Sequence, residues 1–264
     1  MQRQRQGPVA RAAIMDGDVV VTLLGTGDAF GSGGRLQTCF HVAAGGEGLL
    51  IDCGASVCIA MKKHGIDLDA VDAVVITHFH ADHFAGLPFL LLEARIRRRT
   101  RPLTIAGPEG IEDRVAAASE VLFPGAGTAV PFPVRWVEYG SGEPVRVGAA
   151  RVHAWPVRHA PATLPHALRI DVAGRTIACS GDTEWTDALV DVARGADLFL
   201  CEVSDMDATG GIHLDFSTLL EHRSAIDCRR LVLTHMGPDV LAASARVAQA
   251  LDACAADDGL QLRI

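Results

Sequence analysis

Among its 264 residues the chain has no apolar run near the ~18 residues of a membrane span. Its first residues carry arginines without the apolar stretch of a secretory leader, so the expectation is a cytoplasmic protein with no membrane partner. No C-x-x-C pair occurs, and the seven cysteines are odd in number and scattered. They are expected to be buried free thiols in a reducing compartment rather than a disulfide framework. Positive charge is also short: 24 Lys and Arg against 32 Asp and Glu leave a net charge of −8, which disfavours a protein that coats nucleic acid. Aromatics make up only 5%, so Trp136, Trp155, Trp185 and Tyr139 are expected in the core or at a rim. Lysine is nearly absent, 2 against 22 arginines; this compositional bias weakens any reading of arginine clusters. No repeat and no linker-like stretch divides the chain.

What remains is an ordinary globular composition, 49% hydrophobic and 21% charged, able to bury a sizeable core. Short apolar runs bounded by Gly, Pro and Asp predict strands at 19–24, 49–52, 74–77, 103–106, 134–137, 145–147, 152–156, 168–172, 176–180, 198–202 and 231–234. Longer periodic stretches predict helices at 56–64, 84–93, 111–121, 186–194, 217–225 and 240–253. Intermixed in this order, they imply an α/β chain with two sheets packed between helical layers. The expected organisation is a flexible extension over 1–18, with Met15 as an alternative start, followed by a single domain over 19–264.

The most informative segment is His78-Phe79-His80-Ala81-Asp82-His83, placed between an apolar strand and an apolar helix. With 11 histidines in the chain, chance would produce H-x-H-x-D-H on the order of 0.002 times. Three imidazoles and a carboxylate in six residues are costly to bury without partners, so the pattern points to a metal. Six residues cannot complete a site, and further ligands are expected at other strand ends. His159, Asp182 in Ser180-Gly181-Asp182-Thr183, and His235 after Thr234 all stand there.

Together these motifs resemble the metallo-β-lactamase superfamily, over roughly residues 19–235. The resemblance implies a four-layer αβ/βα sandwich, two mixed sheets flanked by helices, with two divalent metal ions at one edge. It assigns His78, His80 and His159 to one metal, Asp82, His83 and His235 to the other, and Asp182 as the bridge. Zinc is the expected metal; manganese and iron suit the same ligands. An aspartate at 182 in place of cysteine argues against β-lactam hydrolysis. Leu24-Gly25-Thr26-Gly27-Asp28 and Ile51-Asp52-Cys53-Gly54 resemble the ribonuclease Z and phosphodiesterase branch. That branch carries a catalytic histidine paired with an upstream glutamate, matched here by His213 and Glu202. Its tRNA-processing members carry a long arm between the third metal histidine and the bridging aspartate. Here only 23 residues separate His159 from Asp182, and two predicted strands fill them.

The expected activity is therefore metal-dependent hydrolysis of a small phosphodiester, such as a cyclic nucleotide, with tRNA an unlikely substrate. Asp82 would orient or deprotonate the nucleophile, and His213, held by Glu202, would bind a phosphoryl oxygen or protonate the leaving group. The alternative is an arylsulfatase- or thioesterase-type hydrolase on the same site. An iron electron-transfer site would normally place a glutamate in the first motif, and a non-catalytic member would have lost ligands; neither fits. A homodimer is the expected assembly by analogy.

Other features carry less. Asp52 is expected either to hold a metal-bound imidazole or to cap a turn. Arg95, Arg97, Arg98, Arg99 and Arg101 read as a helix C-terminus. Residues 25–34, with five glycines, read as a turn more than an anion nest, and Arg35 is a weak substrate contact. His41, His64, His153 and His222 read as structural or surface residues, and His166 as a weak candidate for the pocket wall.

Overall fold

Neighbouring residues along one strand pack into different layers, because successive side chains of a strand point to opposite faces. Leu49 and Ile51 enter one buried cluster while Leu50, between them, enters another. Leu198 and Leu200 face the first cluster, and Phe199 and Cys201 a third. The first cluster fills the space between two sheets; the other two lie between each sheet and its helices. Both faces of both sheets are thus covered, which explains the near-continuous apolar runs in the sequence.

The computed structural model describes residues 18–127, 129–140, 142–207 and 211–264. The expected extension before residue 18 and the alternative start at Met15 lie outside the described residues. The first sheet holds β1 (Val19–Gly25), β2 (Cys39–Ala44), β3 (Glu47–Ile51), β4 (Ala73–Val75), β5 (Leu103–Pro108) and β6 (Val134–Tyr139). The chain then builds the second sheet from β7 (Val145–Val147), β8 (Ala150–Pro156), β9 (His166–Val172), β10 (Arg175–Cys179), β11 (Leu198–Glu202), β12 (Leu231–Thr234) and β13 (Cys254–Ala255). It finally returns to the first sheet, where β14 (Gln261–Arg263) pairs antiparallel with β1. The orders are β14-β1-β2-β3-β4-β5-β6 and β13-β12-β11-β10-β9-β8-β7.

Helices α1 (Val57–Lys63), α2 (Ala81–Phe84), α3 (Gly86–Ile96) and α4 (Ile111–Leu122) belong to the first half of the chain. Helices α5 (Ala188–Ala193), α6 (Phe216–His222), α7 (Pro238–Ala242) and α8 (Ser244–Ala250) belong to the second. The expected layered α/β sandwich is borne out. No helix among the described residues is long and apolar enough to cross a membrane.

Three expectations change. The helix predicted from residue 84 begins earlier, as the short α2, so Asp82 and His83 sit in a helical turn rather than a loop. The helix predicted over 240–253 is broken at Ala243, with no proline or glycine to mark the break. Strand β2 was not predicted, although Phe40, Val42 and Ala44 alternate toward the inter-sheet cluster. Four of the five arginines of the basic cluster are spent on structure: the buried Arg99 donates to the carbonyls of Leu68, Val71 and Pro102, Arg95 to Ala126, and Arg97 and Arg101 pair with Asp67 and Asp72. Among the described residues all seven cysteines are free thiols.

Candidate metal centre

Strands β3, β4 and β5 run parallel in one sheet and β10, β11 and β12 in the other, so their carboxyl ends gather where ligands bind in α/β folds. Asp52 follows β3, His78 follows β4, Asp182 follows β10, Glu202 ends β11, and His235 follows β12. His159 follows β8. Two backbone positions there are strained: Asp52 has φ 58° and His235 φ 54°, a region that residues bearing a β-carbon rarely adopt. Gly181, at φ 57°, is required beside Asp182, since a β-carbon there would lie 2.8 Å from the His166 carbonyl. Gly54 lets the turn after β3 touch α2, since its β-carbon would lie 2.3 Å from the Asp82 carbonyl.

Three groups of donor atoms converge, each within 4.8 Å: His78, His80, His159 and Asp182; Asp82, His83, Asp182 and His235; and Asp182, Glu202, His213 and His235. Asp182 is common to all three. Its carboxylate lies 3.2 Å from His83 Nε2, 3.4 Å from His235 Nε2, 3.6 Å from His78 Nε2 and 3.9 Å from His159 Nε2. Asp82 lies 3.2 Å from His83 Nε2 and 3.3 Å from His235 Nε2. His80 Nδ1 and His159 Nε2 face each other at 2.9 Å. The nine residues assigned from the sequence to metal binding or catalysis all fall within these three groups.

Three of the histidines, His78, His83 and His159, are held from behind through their other ring nitrogens, as in metal sites generally. His83 Nδ1 contacts Asp52 at 2.7 Å, and Asp52 also accepts the Thr77 amide at 2.7 Å and the Thr77 hydroxyl at 2.9 Å. Both readings of Asp52, imidazole partner and turn cap, are thus realised together. His159 Nδ1 donates to the Ile212 carbonyl at 2.8 Å, and His78 Nδ1 lies 3.0 Å from the Thr77 hydroxyl. The buried Nε2 atoms of His78 and His83 make no well-aligned hydrogen bond within the protein. Orphaned nitrogens of this kind aimed at a shared carboxylate fit a cation between them.

His213 and Glu202 form the third group. His213 Nδ1 contacts Glu202 Oε2 at 2.9 Å, and the other Glu202 oxygen accepts the Thr183 amide. The His213 side chain is 26% exposed and His80 is half-buried, whereas His78, His83 and His235 are all buried, so His213 and His80 are the histidines nearest the open side. Burial works against charge on His213, but the Glu202 hydrogen bond and the Glu202 and Asp182 charges outweigh it and raise its pKa.

Protonation divides the remaining histidines. Burial pushes His78 well below the usual imidazole value and also lowers His80 and His159. Burial acts in the same sense on His83 and His235, but there the carboxylates win. Asp182, Asp52 and Asp82 raise His83 well above its usual value, and Asp182 with Asp82 raises His235 to about 9. Conversely Asp182, although buried, is held well below the carboxylate range by His235, His83 and His78.

Residues 25–34 form a turn in which several donors are already engaged. The Asp28 carboxylate accepts from the Phe30 and Ser32 amides and the Ser32 hydroxyl, so the turn reading holds over an anion nest. His166 stays at the seam between the sheets, its Nδ1 donating to the Leu164 carbonyl. Sequence reasoning missed Thr77 and the Ile212 carbonyl. Thr77 had a signal, since it adjoins His78 at a strand end; a main-chain carbonyl acting through its position has none.

The family described as anti-Pycsar protein Apyc1 matches residues 19–251. A ribonuclease Z of Agathobacter rectalis is 29% identical over 284 aligned residues, spanning 88% of this chain and 92% of that protein. An uncharacterised protein of Mycobacterium leprae is 37% identical over 202 residues, 72% of this chain and 67% of that protein. The metallo-β-lactamase-fold protein YhfI of Bacillus subtilis superposes with a TM-score of 0.76 at 20% identity, over 94% of this chain and 99% of that one, which establishes the fold.

Proposed function

The chain belongs to the family described as anti-Pycsar protein Apyc1 and is a metal-dependent hydrolase of the metallo-β-lactamase fold; from that premise we propose that it cleaves a small phosphodiester, such as a cyclic nucleotide. His78, His80 and His159 would hold one divalent ion, Asp82, His83 and His235 a second, with Asp182 bridging. Nitrogen and carboxylate ligands suit zinc, with manganese or iron as alternatives. The observation that carries this reading is the convergence of six ligands on Asp182, with orphaned imidazole nitrogens facing it.

When bound, such ions neutralise an anionic ester and bring the pKa of a water toward ~7. The side chains supply the rest. Asp82 accepts a proton from, or orients, the attacking water. His213, its Nδ1–H directed to Glu202, keeps Nε2 for the substrate, where it would bind a phosphoryl oxygen or protonate the departing alkoxide. Glu202 fixes the tautomer and orientation of that ring.

Relatives named ribonuclease Z favour a second reading, cleavage of an RNA phosphodiester. The smaller substrate is supported by what lies between His159 and Asp182, where β9 and β10 fill the interval. It is also supported by the Agathobacter alignment: 88% of 264 residues is about 232, against 284 aligned, so that relative carries about 50 residues with no counterpart here.

The test is hydrolysis of bis-p-nitrophenyl phosphate by protein loaded with zinc or manganese, with Asp182→Ala alongside, followed by cyclic nucleotides and a tRNA precursor. Metal-dependent turnover lost in the variant, and faster on cyclic nucleotides than on the precursor, is the expected result. Turnover on the tRNA precursor alone would favour the second reading. Inactivity on all phosphodiesters despite bound metal would move the assignment to sulfate esters or thioesters.

A further inference from the structure

Thr26 is fully buried beyond the end of β1, and its carbonyl accepts the His235 amide at 2.9 Å. The Thr26 amide and hydroxyl both donate to Asp258 Oδ1, at 2.9 Å and 3.0 Å. The other oxygen, Asp258 Oδ2, accepts the Leu36 amide at 2.8 Å, and the Leu36 carbonyl accepts the Gly27 amide at 2.8 Å. Arg35 joins the same knot: its Nη1 donates to the Ala256 carbonyl and reaches the Thr26 hydroxyl at 3.4 Å. Asp258 lies beyond residues 19–251, the span matched by the family.

A residue with a β-carbon keeps a φ of 54° only where its surroundings over-determine it. For His235 the bond from its amide to Thr26 is one such restraint, and Thr26 in turn hangs on the Asp258 carboxylate. We propose that Asp258 is a positioning residue for His235, acting through Thr26, and so sets the affinity of the Asp82–His83–His235 half of the site. The inference rests on reading His235 as a metal ligand.

Asp258 is not needed to dock the C-terminal segment. That segment is held by β14 on β1, by the Gly259 amide to the Leu23 carbonyl at 2.7 Å, by the Leu23 amide to the Leu260 carbonyl at 2.9 Å, and by the buried Leu262. Removing the carboxylate leaves these contacts, while Thr26 and Leu36 lose theirs.

The experiment is a titration of metal-stripped full-length protein with Co²⁺ against a chromogenic chelator, recording the visible absorption of bound cobalt. Wild type is expected to take two equivalents. Asp258→Ala should weaken one equivalent about 10–100-fold and alter its absorption, leaving the other unchanged, the range typical of partners behind metal ligands. Asp258→Asn, which keeps an oxygen acceptor for Thr26, should restore that equivalent. Wild-type binding of both equivalents by Asp258→Ala, equal weakening of both, or failure of asparagine to rescue would overturn the proposal. If the alanine variant does not fold, Asp258→Glu, which keeps the charge but displaces it by a methylene, must weaken one equivalent alone; unchanged binding overturns the proposal. A wild type that binds fewer than two equivalents would instead overturn the ligand reading beneath it.

Discussion

The two halves of the site share Asp182 but hold different things in place of a cation. Around His78, His80 and His159 there is one shared carboxylate, and burial keeps the imidazoles neutral, with lone pairs ready. Around His83 and His235 stand Asp82 and Asp182, with Asp52 behind His83, and these carboxylates raise both imidazoles toward the protonated form. Buried carboxylates need positive charge nearby; without metal, this half takes it from protons. A cation arriving there must displace them, whereas one arriving at the first half need not. One fold edge thus presents two candidate metal positions, one expected to depend on pH near neutrality and the other much less, with the shared carboxylate between them.

The most severe way to break this comparison is to remove what the halves share. Asp182→Ala should lose bound metal and reduce hydrolysis more than about 10⁴-fold, beyond the contribution of a single acid–base group; metal analysis and the p-nitrophenyl assay read both. His213→Ala should spare both metal positions and lower kcat about 10²–10⁴-fold, separating chemistry from binding. Asp52→Asn removes the charge behind His83 and reaches His78 only at one remove, through the Thr77 hydroxyl. It should weaken one metal equivalent about 10–100-fold and the other less, measured by chelator competition.

The pH dependence sharpens the comparison further. In the metal-free protein His235 is raised to about 9, above its ordinary ~6.5, so its contribution is full below ~6.5 and disappears as pH climbs through about 9. Melting of the chelator-treated protein should therefore show a loss on the order of 3 kcal/mol between those limits. The metal-loaded protein should not show it, and metal uptake near neutral pH should release protons into an unbuffered solution. Least should come from outside both halves: Arg97→Ala with Arg101→Ala should leave turnover unchanged and barely move the melting temperature, because solvent screens both pairs.

Much of the site is legible along the chain because its core is local. His78, His80, Asp82 and His83 lie in one short crossing from β4 into α2, where spacing alone brings them together. The remaining candidate ligands were legible as polar residues following apolar strands, a position that the fold gathers at one edge. His213 and Glu202 were reachable through family resemblance, as their spacing of 11 residues carries no local signature. The Ile212 carbonyl, Asp258 and the broken helix at Ala243 were not legible. Each depends on a partner from another part of the chain or on a backbone angle that its residue type does not announce.

Local order decided the donor types, their places at strand ends, and the alternation that sends Leu50 and Leu49 into different layers. Those are properties of short-range periodicity, which a sequence displays directly. Only the folded chain decided which imidazoles stay neutral and which take protons, because that depends on how many carboxylates arrive from distant strands at the same buried point. Only the folded chain, too, brought Asp258 beneath Thr26, since residues 232 apart meet through the return of β14 to β1 and through no pattern either segment carries alone.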